Sequence, residues 1–201
     1  MSSPYNKQEN PVLDQSRRAL FHLLESAGKQ IMDYYNSKDF EIDSKSDDSP
    51  VTTADKASNN LIIEGLKKLY PDIPIISEET TQTPYNIRKD WEYCWILDPL
   101  DGTKEFIKRN GEFSINLALI HNHKPVEGYI HFPVQGWTYT AKQGEGAYKH
   151  LSNNDGQSNA VKPLLITAPP DAPCLPKIRI MISRSHSGQR EHDFINTVRR
   201  L

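Results

Sequence analysis

Residues 95–106, which read Trp95-Ile-Leu-Asp98-Pro-Leu-Asp101-Gly-Thr103-Lys-Glu-Phe106, predict a buried strand that ends in a turn carrying two aspartates. The apolar start of the stretch favours a strand. Proline fixes φ and glycine allows positive φ, so Pro99 and Gly102 indicate a rigid turn. Two carboxylates in one turn repel each other unless a cation lies between them, and oxygen ligands suit Mg²⁺ or Mn²⁺. The stretch therefore predicts a divalent-metal site, with simple capping of the turn by aspartate as the alternative.

The composition indicates a globular chain that does not bind nucleic acid. The 201 residues carry a formal net charge of −2, with a pI of about 6.4, so they lack the positive field that attracts nucleic acids or anionic lipids. Cys94 and Cys174 show no metal or redox spacing, which favours a reducing compartment. The sequence contains no signal-peptide pattern and no apolar run of the ~20 residues that span a bilayer. We therefore expect a cytoplasmic protein, and peripheral attachment to the cytoplasmic face of the inner membrane stays open.

The apolar spacing predicts two helices followed by a sheet. Helical periodicity covers 13–35 and then the segment from Thr52 to the residue before Tyr70. Strands are predicted at 73–76, 93–97, 113–120, 126–132 and 137–141, the last three as an antiparallel meander. A polar stretch and several prolines between 150 and 176 predict a domain boundary near 160. Residues 1–160 would then form an α+β domain that holds the metal, and 161–201 would begin a second domain with a strand at 178–182 and a helix at 190–201.

Acidic residues occur at the ends of three of these elements. Asp55 lies at a helix start, where Thr52 can form a capping box with it, and Glu78 follows the strand at 73–76. Together with Asp98 and Asp101 they would form a carboxylate-rich pocket if the element ends converge. Such a pocket is stable only with bound cations. The alternatives are a carboxylate that stabilises a helix N-terminus and a solvated strand end.

Three motifs resemble those of the inositol monophosphatase superfamily, the lithium-sensitive and magnesium-dependent phosphatases. They are Ser49-Pro-Val-Thr-Thr-Ala-Asp55, Ser77-Glu-Glu79 and Asp98-Pro-Leu-Asp-Gly-Thr-Lys-Glu-Phe106, and their order and spacing agree with the superfamily. The residues Lys104-Glu105-Phe106 and the run Arg109-Asn-Gly-Glu-Phe113 are similar to its bacterial 3′(2′),5′-bisphosphate nucleotidase branch. Three ordered motifs are more specific than any one of them.

The resemblance implies a layered α/β fold of the sugar-phosphatase type, an α+β sandwich with N-terminal helices on an antiparallel sheet and an incomplete C-terminal α/β domain. It implies a hydrolase of sulfur metabolism in which metal-activated water removes the 3′-phosphate of adenosine 3′,5′-bisphosphate, giving AMP and phosphate. The expected partner is a small nucleotide, either this compound or 3′-phosphoadenosine 5′-phosphosulfate. An inositol monophosphatase-like sugar-phosphate phosphatase and an inactive remnant that binds metal or nucleotide are the alternatives.

The resemblance also implies roles for individual residues. Glu78, Asp98 and the backbone carbonyl of Leu100 would bind a first Mg²⁺, and Asp98 and Asp101 a second. Thr103 and Asp55 would orient and deprotonate the attacking water, with Glu78 assisting. The substrate phosphate would contact Glu78, Leu100 and Asp101 and the backbone N–H groups of Gly102 and Thr103.

Two superfamily elements are absent from this sequence. One is a Trp-Asp pair that completes the second metal site, and the other is a Gly-Ser-Ser-x-Lys segment that holds the nucleotide. The tryptophans, Trp91, Trp95 and Trp137, are not followed by aspartate. We therefore expect a C-terminally shortened member of the superfamily.

Overall fold

The structure, a computed structural model, describes residues 15–37, 40–44, 50–80, 83–152, 158–164 and 188–198. The chain forms two compact units, Met1–Leu164 and Leu165–Leu201. The helices are α1 (Gln15–Ser37), α2 (Thr53–Leu69), α3 (Tyr85–Arg88), α4 (Thr103–Lys108) and, in the second unit, α5 (Gln189–Val198). The strands are β1 (Ile42–Ser44), β2 (Pro50–Thr52), β3 (Ile75–Ser77), β4 (Tyr93–Asp101), β5 (Ser114–His121), β6 (Lys124–Phe132), β7 (Trp137–Lys142), β8 (Gly146–Ser152) and β9 (Ser158–Pro163).

The first unit is built on a seven-stranded sheet in the order β3-β4-β5-β6-β7-β8-β9, beside a small β1–β2 ladder. Each strand from β4 to β9 runs antiparallel to the next. At one edge the sheet differs from the predicted antiparallel form, because β3 is parallel to β4. Parallel neighbours need a long crossover, and the connection that contains α3 supplies it.

Helices α1 and α2 cover one face of this sheet. They pack against each other, with α1 also against β6 and α2 against β4. The core follows from the two periodicities, 3.6 residues along a helix and two along a strand. Each large side chain removed from water here contributes about 1.5–3 kcal/mol. The buried core positions include Leu20, Leu24, Ala27 and Ile31 on α1, Ile62 and Leu66 on α2, and Trp95, Leu97, Ile115 and Leu117 on the sheet.

Helix α1 lies close to the sheet at Gly28. A Cβ atom at this position would lie 2.3 Å from Nε2 of His131 on β6. The His131 ring is 4% exposed, and its Nδ1 is hydrogen-bonded to Oγ1 of Thr138, 2.9 Å away. Glycine at position 28 therefore lets the helix backbone lie directly on a buried imidazole.

The opposite face of the sheet carries an apolar groove of about 390 Å³. Small residues form its floor, which gives the groove its depth. Asp98 and Asn116 lie at its polar end. The small residues are Ala118, Gly128, Ala141 and Ala147, and larger apolar side chains flank them at Ile96, Ile130 and Leu164.

Several elements differ from the sequence prediction. Helix α4 and strands β8 and β9 were not predicted, and β9 crosses the expected boundary at 160 because it pairs with β8. The expected helix at 190–201 corresponds to α5, whereas the expected strand at 178–182 lies outside the described residues. The identification of residues 161–201 as the start of an α/β domain stays a prediction. In the described ranges, none of the helices has the length and hydrophobicity needed to cross a bilayer.

Candidate active site

The turn predicted from residues 95–106 is a β-bulge near the end of β4. Asp98 pairs with Asn116 and Asp101 pairs with Ser114, so two residues of β4 lie opposite one residue of β5. Proline has no N–H to give to a sheet ladder, and a bulge is one of the few places where a strand tolerates it. Pro99 therefore fixes where the ladder breaks and the backbone bends.

Gly102 links this bulge to α4. Its φ of 95° lies in the left-handed region, and a Cβ atom would stand 2.9 Å from the carbonyl oxygen of Glu112. Side chains other than glycine would be strained there. Helix α4 is held by Phe106, which is fully buried and packs against Tyr35 and Phe113. The sharp turn thus rests on a rigid aromatic cluster.

Asp55 links α2 to α4. The predicted capping box is confirmed, since the N–H of Thr52 donates to Oδ2 of Asp55 at 2.8 Å and the Thr52 side chain accepts from the Asp55 N–H. The other carboxylate oxygen, Oδ1, accepts from the hydroxyl of Thr103 at 2.9 Å. Asp55 is fully buried, and this burial raises its pKa although the hydrogen bonds from Thr52 and Thr103 oppose the rise. A buried carboxylate of raised pKa is a better proton acceptor than an ordinary aspartate.

Asp98 and Glu78 meet where β3 ends beside the bulge. The pKa of Asp98 is raised to about 7, first by burial, then by the nearby charges of Glu78 and Asp101 and by a side-chain hydrogen bond with Glu78. The N–H of Leu100, which donates to Oδ1 of Asp98 at 3.2 Å, opposes this rise. A buried carboxyl group beside two other carboxylates occupies a place where a positive charge is favourable.

Asp101 is exposed and turns toward the neighbouring strand. Its Oδ2 accepts a hydrogen bond from Nδ2 of Asn116 at 2.9 Å. In the part of the chain that the structure describes, no group of three or more Asp, Glu, His or Cys side chains is close enough together to hold a metal ion. The oxygen donors near the bulge are the carboxylates of Glu78, Asp98 and Asp101, together with the carbonyl of Leu100, which lies 3.3 Å from the Thr103 hydroxyl. An all-oxygen set of this kind fits Mg²⁺.

Sequence reasoning did not identify Asn116 as a site residue. It lies on β5, eighteen positions beyond Asp98 in the chain, and reaches the site only through strand pairing. The polar side chain at 116 interrupts the apolar positions Ile115 and Leu117. If the two strands are assumed to pair, Asn116 lies opposite Asp98. A polar residue at that position was the sequence signal that could have identified it.

Comparison with known proteins adds independent information. The sequence model of the Inositol monophosphatase family matches residues 12–200. The 3′(2′),5′-bisphosphate nucleotidase CysQ of Shigella flexneri is 48% identical to this chain over 124 residues, which are 61% of the chain and 50% of that relative. The chain thus spans about half the length of the curated relatives of this kind that it matches.

Solved structures show the same fold. The crystal structure of CysQ from Bacteroides thetaiotaomicron superimposes with a TM-score of 0.64 and 30% identity, covering 94% of this chain and 70% of that one. An IMPase/NADP phosphatase solved in complex with NADP and Ca²⁺ gives a TM-score of 0.61 and 25% identity, covering 68% of this chain and 51% of the other. The α/β fold class expected from the sequence is confirmed by these matches.

Proposed function

Since this chain belongs to the inositol monophosphatase family, we propose that it is a Mg²⁺-dependent 3′(2′),5′-bisphosphate nucleotidase. The substrate would be adenosine 3′,5′-bisphosphate, whose 3′-phosphate is hydrolysed to give AMP and phosphate. The observation that carries the proposal is the hydrogen bond between Thr103 and the buried Asp55, beside the carboxyl groups of Glu78 and Asp98. The nucleotide is favoured over an inositol phosphate by the 48% identity to a named bisphosphate nucleotidase.

Glu78, Asp98, Asp101 and the carbonyl oxygen of Leu100 would hold the metal. When bound, Mg²⁺ supplies positive charge that neutralises the phosphate and makes the attacking water more acidic. The raised pKa of Asp98 supports this assignment, because burial and the neighbouring carboxylates make its negative charge unfavourable unless a cation is bound. Asn116 would hold the carboxylate of Asp101 in a fixed orientation.

Thr103 and Asp55 would activate the water. The Thr103 hydroxyl has one proton, which it donates to Asp55, so its lone pairs are free to accept a hydrogen bond from water. As the water oxygen attacks phosphorus, its proton would pass to the Thr103 oxygen while the Thr103 proton passes to Asp55. The bond from phosphorus to the 3′-oxygen breaks, and that oxygen takes a proton from solvent.

Backbone groups at the bulge would bind the phosphate. Gly102 presents no side chain, so a phosphate can approach its N–H and that of Thr103 closely. No side-chain cap accepts hydrogen bonds at the start of α4.

The expected compartment for this reaction is the cytoplasm, which the unpaired Cys94 favours.

Phosphate release from the purified chain tests this proposal. The chain is incubated with Mg²⁺ and with adenosine 3′,5′-bisphosphate, 3′-phosphoadenosine 5′-phosphosulfate or inositol 1-phosphate. We expect preferential release from a nucleotide, lost in Asp98→Asn and retained in the exposed control Asp90→Asn. Preference for the inositol ester would favour the sugar-phosphate alternative. Absence of release from every substrate would refute a catalytic role for this chain.

A further inference from the structure

Helix α2 presents three buried polar side chains to the site. Asp55, Ser58 and Asn59 are spaced i, i+3 and i+4, so they lie on one face of the helix. Their exposed fractions are 0%, 0% and 4%. A buried polar group is costly unless it is hydrogen-bonded, and each of the three bonds to a different segment of the site. Asp55 accepts a hydrogen bond from the hydroxyl of Thr103. The roles of Ser58 and Asn59 follow from their own hydrogen bonds.

Ser58 acts on the bulge. Its hydroxyl donates to the carbonyl oxygen of Pro99 at 2.9 Å. That carbonyl belongs to the same peptide unit as the N–H of Leu100, which donates to Oδ1 of Asp98 at 3.2 Å. A trans peptide unit is planar, and its C=O and N–H point in opposite directions. The hydrogen bond from Ser58 therefore fixes the direction in which the Leu100 N–H meets the Asp98 carboxylate.

Asn59 acts on the end of β3. Its Oδ1 accepts a hydrogen bond from the hydroxyl of Ser77 at 2.6 Å. The Ser77 oxygen in turn accepts from the N–H of Glu79 at 3.3 Å. These two bonds hold the turn on both sides of Glu78, whose own N–H donates to the carbonyl of Leu97 at 3.1 Å. Asn59 thus determines where the backbone of Glu78 lies relative to β4.

We propose that Ser58 and Asn59 are positioning residues that set the separation between the carboxylates of Asp98 and Glu78. They are neighbours on one rigid helix, whereas Asp98 and Glu78 come from different strands. The helix therefore fixes the positions of the two carboxylates relative to each other. Neither side chain would contact the substrate or the cation. The inference rests on the proposed function, because it assigns these residues to the spacing of the metal-binding oxygens.

Binding of Mn²⁺ to the full chain, measured by the electron paramagnetic resonance signal of the free ion, tests the inference without requiring turnover. We expect Ser58→Ala and Asn59→Ala each to raise the Kd about threefold to tenfold. Ser26→Ala is the matched control, because Ser26 is an exposed helical serine that bonds only within α1, to the carbonyl of His22. Where the chain is active, higher Mg²⁺ should restore phosphate release in both variants.

Thermal unfolding of the same variants separates positioning from general stability. A lowered Tm with an unchanged Kd would overturn the inference while leaving the proposed function intact. If wild type binds Mn²⁺ but releases no phosphate, the proposed function fails, and the Kd values still decide the inference. A wild-type chain that does not bind Mn²⁺ would overturn both. If Asn59→Ala does not fold, Ser77→Ala removes the same hydrogen bond from the other side.

Discussion

Acid should weaken the packing of α1 on the sheet, because His131 is buried there as a neutral imidazole. Burial lowers the pKa of His131 from 6.5 to about 4. In the unfolded chain the same group titrates near 6.5. Between these values the unfolded chain binds a proton that the folded chain does not, so the free energy of unfolding falls as the pH drops from about 6.5 to about 4.

The magnitude follows from the difference between the two pKa values. Each unit corresponds to 1.36 kcal/mol, so His131 should reduce stability by about 3.4 kcal/mol once the pH is well below 4. Between pH 7 and pH 5 the same two values give a loss of about 1.8 kcal/mol. The ring cannot escape to water without displacing α1, because Gly28 lies directly against it.

Urea unfolding at pH 7 and pH 5, at constant ionic strength, measures this loss. We compare wild type with His131→Gln and with His123→Gln, which removes an exposed histidine. Burial also lowers the pKa of His150, but that contribution is common to the three proteins and cancels. The difference in the free energy of unfolding between wild type and His131→Gln should change by about 1.8 kcal/mol between pH 7 and pH 5. If this difference in the free energy of unfolding is the same at pH 7 and pH 5, the buried imidazole of His131 does not cause the loss of stability in acid.

Three further predictions concern stability and the site. Phe106→Ala should destabilise the chain by about 3–5 kcal/mol in urea unfolding, whereas Phe194→Ala, 61% exposed, should change it by less than about 0.5 kcal/mol. Gly102→Ala should cost about 1–2 kcal/mol and reduce phosphate release, since its φ is 95°. Arg17→Gln should cost about 1 kcal/mol in the same unfolding assay, because Arg17 binds both carboxylate oxygens of Glu145 at 2.7 and 2.9 Å but water screens this exposed pair.

Different results would contradict each of these. Equal losses for the two phenylalanine variants would mean that the aromatic cluster under α4 does not support the turn. A stable and active Gly102→Ala would mean that the left-handed conformation is not needed there. An Arg17→Gln chain as stable as wild type would mean that the ion pair of Arg17 with Glu145 makes no net contribution to stability.

Local sequence signals predicted the local structure well. The capping box of Thr52 and Asp55 depends on residues three apart, so its pattern is visible in the sequence and is confirmed. The helical periodicity that begins α1 and the alternation along β6 are local in the same sense. By contrast, β9 was hidden in a polar stretch, because its strand conformation depends on pairing with β8 rather than on its own residues.

The candidate site was predictable only as far as its motifs are contiguous. The acidic residues at element ends were identified, and the structure brings Asp55 to Thr103 and Asp98 to Glu78. Their roles in metal binding and catalysis stay predictions. Asn116 could not be found in this way, because it reaches Asp101 through the register of two strands, and register is set by packing across the whole sheet.

The bulge at Pro99 also determines the common orientation of the two aspartates. Residues three apart on a regular strand point to opposite faces. The one extra residue in the bulge cancels that difference, so Asp98 and Asp101 lie on the same face, where both are next to Asn116. Deleting one residue between the two aspartates would leave them two apart on a regular strand and still on one face, whereas a regular ladder at the present length would turn Asp101 toward the helices. At the present length of the motif, the common orientation of the two aspartates therefore depends on keeping the bulge, and so on Pro99, which cannot donate to a regular ladder.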